Sequence, residues 1–188
     1  MGFMHLEFAA EPPKRSSVAV CCFPGMGNVG LHVGQMLLQH LDAKKFATFY
    51  SGYFSPWVVM EQSGLCRLPC WDLYEARFKR VSIVLLIGDG MPHFEGPSDV
   101  HRIYHLGDQL LRLLGKLGTR LIITVDSYLV GESKDVGSVF VASSDRPLLL
   151  DACDLGASPV NGRVMGFPGI VAALSNLYEM SSLLVLVG

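Results

Sequence analysis

The chain of 188 residues carries 15 basic and 17 acidic residues, a formal net charge of −2, and 50% hydrophobic against only 17% charged residues. This length suits one domain that buries about 70% of its unfolded surface. The near-balanced charge gives no reason to expect nucleic acid or an anionic membrane as partner, and no apolar run approaches the roughly eighteen residues of a membrane span.

The first seventeen residues differ in pattern from the rest of the chain. Met4 to Ala9 alternates weakly between polar and apolar residues, and Pro12 and Pro13 break the pattern. This predicts a short edge strand or a loose arm over residues 1–17, and an α/β domain over residues 18–188.

A strand, a glycine-rich turn and a helix then come in immediate succession. Residues 18–23 are a continuous apolar run, which is typical of a buried strand, and residues 31–41 repeat apolar positions at three and four, which is typical of a helix. Between them Gly25, Gly27 and Gly30 form G-x-G-x-x-G, a pattern whose backbone N–H groups can cradle a phosphate. The turn is therefore a candidate anion site.

Two interpretations of this turn stay open. In a dinucleotide-binding unit the second strand ends in an acid that holds the ribose, but the predicted strand Phe46–Tyr50 runs into Ser51 and Gly52. We therefore expect no NAD, FAD or other cofactor, and favour glycines that let a helix pack closely on a sheet. Asn28 either donates to an anion or caps the helix that begins at Val29, and the cap is favoured.

The middle of the chain predicts an insertion. Residues 57–61 and 65–68 are short apolar runs around Gln62-Ser63-Gly64, which indicates an inserted β-hairpin. Residues 71–78 form a further short segment whose type, strand or helix, the pattern leaves open.

A second buried strand and a helix come next. The apolar run Val81–Ile87 ends in Gly88 and Asp89. Asp89 is the best single acid in the chain, although an Asp between glycines is more often a turn former that bonds its own backbone. Asp99 is a plausible N-cap for a helix through Leu117.

The remaining elements alternate in the same way. Leu121–Val125 predicts the third core strand, closed by Asp126. The other predicted segments are strands over Gly137–Ala142, Val160–Met165 and Leu183–Val187, a helix over Pro147–Cys153, and a helix from Gly166-x-x-Gly169 to Met180.

This alternation predicts an α/β fold, a single-domain three-layer sandwich with a mainly parallel (mixed) central sheet. Ligands of such sheets bind beyond the carboxyl ends of the strands. The candidate ligand-binding residues all lie in turns expected there: Gly25, Gly27, Asn28, Gly30, Gly88, Asp89, Gly166 and Gly169.

The five cysteines, Cys21, Cys22, Cys66, Cys70 and Cys153, do not predict a disulfide framework, because their number is odd and two lie in a buried strand. A three-residue spacer between Cys66 and Cys70, with no second pair nearby, is weak for zinc. We expect reduced thiols, no metal, no signal peptide and a cytoplasmic location.

The sequence offers no convincing catalytic pair. His93 with Glu95 is the one acid and imidazole pair near the expected carboxyl ends of the strands, and it lies in a loop where such pairs are rarely catalytic. His101 and His105 lie four apart on a predicted helix but lack the acid of H-E-x-x-H, so a solvated helix face is favoured. Ser127 lacks the G-x-S-x-G elbow.

The mean hydropathy of +0.37 is high for a chain without a membrane span. Burial of the surplus apolar surface between copies is the simplest explanation, so we expect a homo-oligomer, a trimer or larger.

Three motifs resemble those of the proteasome assembly chaperone family. They are P-G-M-G-N-V-G at Pro24–Gly30, G-D-x-x-P at Gly88–Pro92, and G-x-x-G at Gly166–Gly169. The resemblance runs from about Val18 to Gly188, and the first motif is its most specific part.

The resemblance implies a nucleoside-phosphorylase-like fold and a homo-oligomeric, cytoplasmic assembly chaperone or scaffold without catalysis. The runner-up is a phosphate- or nucleotide-binding enzyme or binder that uses the glycine turns. Family members that dock on proteasomes end in a hydrophobic-Tyr-x tail, whereas this chain ends Leu186-Val187-Gly188, so the expectation of proteasome subunits as partners depends on residues after Gly188. Pro168 replaces the Asn that is common in the late motif, so a polar role there does not carry over.

Overall fold

A computed structural model describes residues 3–92, 96, 99–129 and 137–188. The described helices are α1 (Val29–His40), α2 (Val100–Lys116), α3 (Arg146–Asp154) and α4 (Phe167–Leu174). The described strands are β1 (Met4–Phe8), β2 (Val18–Cys22), β3 (Lys44–Ser51), β4 (Val59–Met60), β5 (Cys66–Arg67), β6 (Trp71–Phe78), β7 (Val81–Gly88), β8 (Leu121–Ser127), β9 (Val139–Ser143), β10 (Ser158–Pro159) and β11 (Ser181–Val187).

Nine strands form one mixed sheet in the order β1-β3-β6-β7-β2-β8-β11-β9-β10. The central strands β7, β2, β8 and β11 run parallel to one another, while β1, β3 and β6 extend the sheet with antiparallel pairings. The carboxyl ends of the four parallel strands therefore share one edge. We call the last residues of β2, β7 and β8 at this edge, together with the residues that directly follow each strand, the rim.

Helices cover both faces of the sheet. Helix α1 packs on β2, β7 and β8 through a cluster that includes Cys22, Leu85 and Val125. On the other face α2 and α4 bury their leucines and Phe167 against the opposite side of the same strands. This is the three-layer arrangement that the alternating pattern predicted. No helix among the described residues is long and apolar enough to cross a membrane.

A cluster of aromatic rings closes the core beneath the rim. Trp71 is fully buried, and its indole Nε1 donates to the backbone oxygen of Gly90 at 2.6 Å. Around it lie Phe23, Phe49 and Phe167, with ring centroids 5.0 to 5.7 Å apart in each contact with Trp71 or Phe23. These rings pack the end of β2 against the start of α4, so closely packed aromatic side chains support the rim from below.

The segment over residues 71–78, whose type the pattern left open, is the strand β6. Its buried residues Trp71 and Leu73 alternate with half-buried Asp72 and Tyr74. Before β6 in the chain, the two-residue strands β4 and β5 pair antiparallel with each other and form a separate small sheet.

Two predicted elements were wrong in extent or type. Only Ser158–Pro159 joins the sheet near the strand predicted over Val160–Met165, and Gly162 has a φ of +115° that a strand does not accommodate. The last helix ends at Leu174 rather than Met180 and continues as a 3₁₀ turn over Ser175–Tyr178. There the buried Ser175 hydroxyl donates to the Ala172 carbonyl, which competes with regular helical bonding.

Candidate functional site

The turn after β2 is shaped by close backbone approach. A Cβ built on Gly30 would stand 2.5 Å from the backbone oxygen of Phe23 and 3.0 Å from that of Val125, so only glycine fits where α1 meets the sheet. Gly27 has a φ of +63°, and a Cβ there would make an ordinary contact with Val29 Cγ2 at 3.9 Å, so glycine serves the backbone conformation instead. These positions have structural reasons to be glycine before any ligand is considered.

Asn28 does not cap the helix with its side chain. The residue stands at the N-cap position of α1, and the helix begins at Val29 as predicted, but the Asn28 side chain makes no capping hydrogen bond. Its φ of +52° places it in the left-handed region, which Asn tolerates better than most residues. The predicted side-chain cap was therefore wrong, because a left-handed backbone replaces the extended conformation that capping requires.

Asp126 brings the first and last glycine turns together. Its Oδ1 accepts a hydrogen bond from the backbone N–H of Ser127 at 2.8 Å. A Cβ on Gly25 would stand 2.5 Å from this Oδ1, and a Cβ on Gly166 would stand 3.3 Å from Oδ2. The carboxylate thus lies between Gly25 and Gly166, and its partial burial raises its pKa above the ordinary value while the bonds from Ser127 oppose that rise.

The Gly88-Asp89 turn has a different environment. A Cβ on Gly88 would collide with the backbone oxygen of Cys70, the residue before β6, because β6 pairs with β7 directly beside Gly88. Asp89 Oδ2 accepts a hydrogen bond from Arg67 Nη2 at 2.6 Å, and Asp89 Oδ1 accepts one from the backbone N–H of Cys70 at 2.9 Å. Asp89 therefore ties the short β4–β5 pair to the rim, and its carboxylate is used in that contact.

Gly169 does not lie with the other candidates. It sits inside α4, where a Cβ would make ordinary contacts with Val164 and Leu184 at 3.6 to 3.9 Å. It borders a cavity of about 340 Å³ lined also by Ser144 and Ser182. Those hydroxyls are bonded to each other, and Ser182 donates to the Ala172 carbonyl, so this cavity offers few free polar groups.

The histidine and cysteine candidates give no metal site in the part of the chain that the structure describes. His105 stacks on Tyr53 at 5.5 Å and meets His101 edge-on at 6.1 Å. His93 and Glu95 lie outside the described residues. Every cysteine is a free thiol, and Cys66 is exposed whereas Cys70 is buried.

Burial perturbs three of the thiols. It raises the pKa of Cys22 to about 12 and that of Cys70 to about 11. The pKa of Cys21 rises further, through burial first and then through the neighbouring Cys22. Thiols held protonated in this way are poor nucleophiles and poor metal ligands.

An exposed apolar surface stands beside the rim and was not predicted. We call it the hairpin surface; its large side chains are each 51 to 68% exposed, and they are Trp57, Val58, Met60, Leu65 and Leu68. Three of them border an open groove of about 450 Å³, together with Phe3 and Phe54. The sequence signal was available in the apolar runs of the predicted hairpin, which have no alternating polar face.

The sequence model of the PAC2 family matches residues 19–187. An uncharacterised protein of Methanocaldococcus jannaschii is 22% identical over 167 residues, which is 88% of this chain and 62% of that protein. The chain thus spans less than two thirds of that relative's length.

Solved structures share the fold. Pyrococcus furiosus PbaB, an archaeal proteasome activator, superposes with a TM-score of 0.85 at 22% identity, covering 97% of this chain and 79% of PbaB. Pyrococcus furiosus PbaA, an archaeal homolog of proteasome-assembly chaperone, gives 0.72 at 18% identity, covering 98% and 75%. A Mycobacterium tuberculosis proteasome-assembly chaperone homologue gives 0.69 at 16%, covering 90% and 74%. The resemblance indicated by the glycine motifs is confirmed, and the chain belongs to the PAC2 family.

Proposed function

We propose that this protein is a cytoplasmic, homo-oligomeric scaffold or assembly chaperone that binds proteasome subunits and performs no catalysis. The observation that carries the proposal is the hairpin surface, where five large apolar side chains stand in solvent on one short segment. Contiguous exposed apolar patches of this kind mark protein interaction sites.

The hairpin surface has the composition of an interface core. Trp57 is 52% exposed and borders the groove with Val58 and Leu68. Tryptophan is enriched among residues that dominate binding energy, and each Å² of apolar surface removed from water contributes roughly 25 cal/mol. Arg67 and Asp89 hold the base of the segment at 2.6 Å, which lowers the ordering cost of binding.

The rim supports a protein-binding role over the runner-up, a phosphate or nucleotide binder. The carboxylate of Asp126 lies beside the first turn and would repel an anion that approaches Gly25. Asp89, a second acid at the rim, is bonded to Arg67. We propose accordingly that any likeness to nucleoside phosphorylases is one of fold alone.

The identity of the partner rests on the relatives. PbaB is a proteasome activator and PbaA is a homolog of proteasome-assembly chaperone. Proteasome subunits are therefore the partner class that we propose for this chain.

A binding experiment with matched variants tests the proposal. Wild-type protein and the variants Trp57→Ser and Leu68→Ser are immobilised and offered the proteasome α and β subunits of the same organism. The control is Leu155→Ser, which changes a leucine that is 91% exposed at the end of α3. We expect wild type and control to retain subunits and the two hairpin variants to lose at least about 90% of the retention, since a central apolar contact contributes about 2 kcal/mol. Equal retention by all four proteins, or none by wild type, would contradict the proposal.

A further inference from the structure

The two edges of the main sheet differ in how they are protected. At one edge β10 has two residues, one of which is Pro159, and short length with proline is a common protection against strand pairing. At the other edge β1 has five residues, Met4–Phe8, without proline or lysine. An edge strand of this kind is a template for a further strand.

The hydrogen-bonding pattern shows which backbone groups of β1 face outward. The N–H of Gly52 donates to the oxygen of Phe3 at 2.8 Å, and the N–H of Ala9 donates to the oxygen of Phe46 at 2.8 Å. Backbone hydrogen bonding to one neighbour alternates along an antiparallel strand. The backbone N–H and C=O groups that point toward β3 are therefore those of Phe3, His5, Glu7 and Ala9. Hence the backbone groups of the residues between them point away from β3: Met4, Leu6 and Phe8.

The two faces of β1 differ in polarity: one carries apolar side chains and the other carries polar side chains. Met4 and Phe8 are each 54% exposed, and Leu6 between them packs on the main core. His5 and Glu7 lie on the opposite face, because side chains alternate along a strand. The sequence Met-His-Leu-Glu-Phe therefore has the same order of apolar and polar residues when it is read in either direction from Leu6. Its two polar residues differ in charge, because Glu is negative and His becomes positive on protonation.

We propose that β1 pairs antiparallel with β1 of a second copy of this chain, about a two-fold axis through Leu6. In this register Leu6 meets Leu6 of the second copy as a hydrogen-bonded pair, and Met4 meets Phe8 as the next such pair. These are the residues whose backbone groups point outward. The pairing continues the nine-stranded sheet from one copy into the next.

The same register makes the side chains complementary. His5 stands opposite Glu7 of the second copy in a non-hydrogen-bonded pair, where cross-strand side chains come closest. The apolar side chains of Met4 and Phe8 meet across the other face. A shift by one residue would put an apolar residue opposite a polar one, for example Leu6 opposite Glu7. A shift by two residues would put His5 opposite His5, or Glu7 opposite Glu7, so the register is selected.

The inference rests on the proposed function in one respect, that the protein self-associates, and it adds that the interface is isologous. An isologous interface closes in pairs, so the number of copies is even. Sedimentation velocity of the full chain at micromolar concentration measures this number for the wild type and for each variant. Circular dichroism of each variant reports whether the chain is folded.

Two pairs of variants test the backbone and the register separately. Met4→Pro removes an outward N–H without touching a bond to β3, and Met4→Thr is its control. Glu7→Lys places a cation opposite His5 of the second copy, Glu11→Lys is the control for the same change of net charge, and His5→Glu with Glu7→Lys restores opposite charges. We expect Met4→Pro and Glu7→Lys to halve the particle mass with a dissociation constant raised about tenfold or more. The two controls and the double variant keep the wild-type mass.

The contrary outcomes are distinct. An even-numbered wild-type oligomer whose mass is unchanged in Met4→Pro and Glu7→Lys, or an odd number of copies, overturns the β1 interface and leaves the proposed function standing. Failure of the double variant to restore the mass overturns the register. If Met4→Pro keeps the wild-type mass but no longer binds proteasome subunits, a strand of the partner protein occupies the edge. That outcome also overturns the pairing of β1 with a second copy. A monomeric wild type overturns this inference and the oligomeric part of the proposed function together.

Discussion

The carboxylate of Asp126 lies directly against the Cα of Gly25, so that a methyl group added to Gly25 would meet Oδ1 at 2.5 Å. The two residues are distant in sequence and adjacent at the rim because β2 and β8 are parallel neighbours. The first glycine of the P-G-M-G-N-V-G motif thus has a structural reason, the close approach of an internal side chain, before any ligand is considered.

Gly25→Ala is expected to destabilise the protein by about 1–3 kcal/mol, the usual cost of overpacking a close contact. Removing the carboxylate should relieve the clash, so Gly25→Ala combined with Asp126→Ala should cost at least about 1 kcal/mol less than the sum of the single changes. Urea unfolding of the four proteins measures this coupling. Strict additivity would show that Asp126 is not the reason for Gly25.

Gly27→Ala is the matched comparison at the same turn. Gly27 has a φ of +63° and no close contact with Asp126, so the substitution should cost about 1–2 kcal/mol through backbone strain alone. This cost should be the same with Asp or Ala at position 126. A coupling as large as that of Gly25 would contradict the assignment of separate roles.

Asp126 should also give the protein a measurable pH dependence. Burial raises the pKa of Asp126 in the folded state, so its favourable contribution is complete below the unfolded pKa and is lost as pH rises through the folded value. Asp126→Asn cannot ionise, and its stability relative to wild type should therefore increase between about pH 3 and pH 7. Unfolding free energies of both proteins across this range test the sign; a wild type that gains on the variant with rising pH would refute it.

The buried strands could be predicted from the sequence because parallel sheets covered on both faces require continuous apolar runs. Residues 18–22, 81–87 and 121–125 of the predicted apolar runs fall on central strands of the sheet, and Phe23 directly follows β2. Helix α2 was likewise visible from its one-sided leucines, and it ends before Gly118, whose φ is +83°.

The extent of the peripheral elements could not be predicted, since it depends on neighbours distant in sequence. Residues 160–165 read as a strand, but pairing near them reaches only Ser158–Pro159 at the edge of the sheet. The site behaves in the same way. Its turns were predicted to lie on one edge, whereas the contact of Asp126 with Gly25 and the ion pair of Asp89 with Arg67 depend on side-chain placement that no local pattern encodes.

The Arg67–Asp89 pair should restrain the hairpin surface. Arg67→Ala should raise hydrogen exchange of the Glu61 and Gly64 amides, which are bonded within the segment, by about 2- to 5-fold. The effect is modest because both side chains are about one third exposed. Arg77→Ala, at a residue 81% exposed, is the control and should change nothing. Exchange rates equal to wild type in Arg67→Ala would show that the pair does not hold the segment.

The thiols should react in the order of their exposure. Cys66 is exposed, and we expect a chromogenic disulfide reagent to modify it first in the folded protein. Cys21 and Cys22 should react only on unfolding, because they are buried and their pKa values are raised. Cys66→Ser should abolish the fast phase. Stoichiometric zinc that is lost in Cys66→Ser or Cys70→Ser would contradict the expectation of metal-free thiols.

The rate of proteasome assembly tests the central claim most directly. Separately prepared α and β subunits of the same organism are mixed with and without the protein, and the appearance of peptide-hydrolysing particles is measured over time. We expect wild type and Leu155→Ser to accelerate assembly several-fold and Trp57→Ser to lose the acceleration, since Trp57 lies on the hairpin surface. An assembly rate that wild type leaves unchanged would contradict the account of this chain as an assembly chaperone.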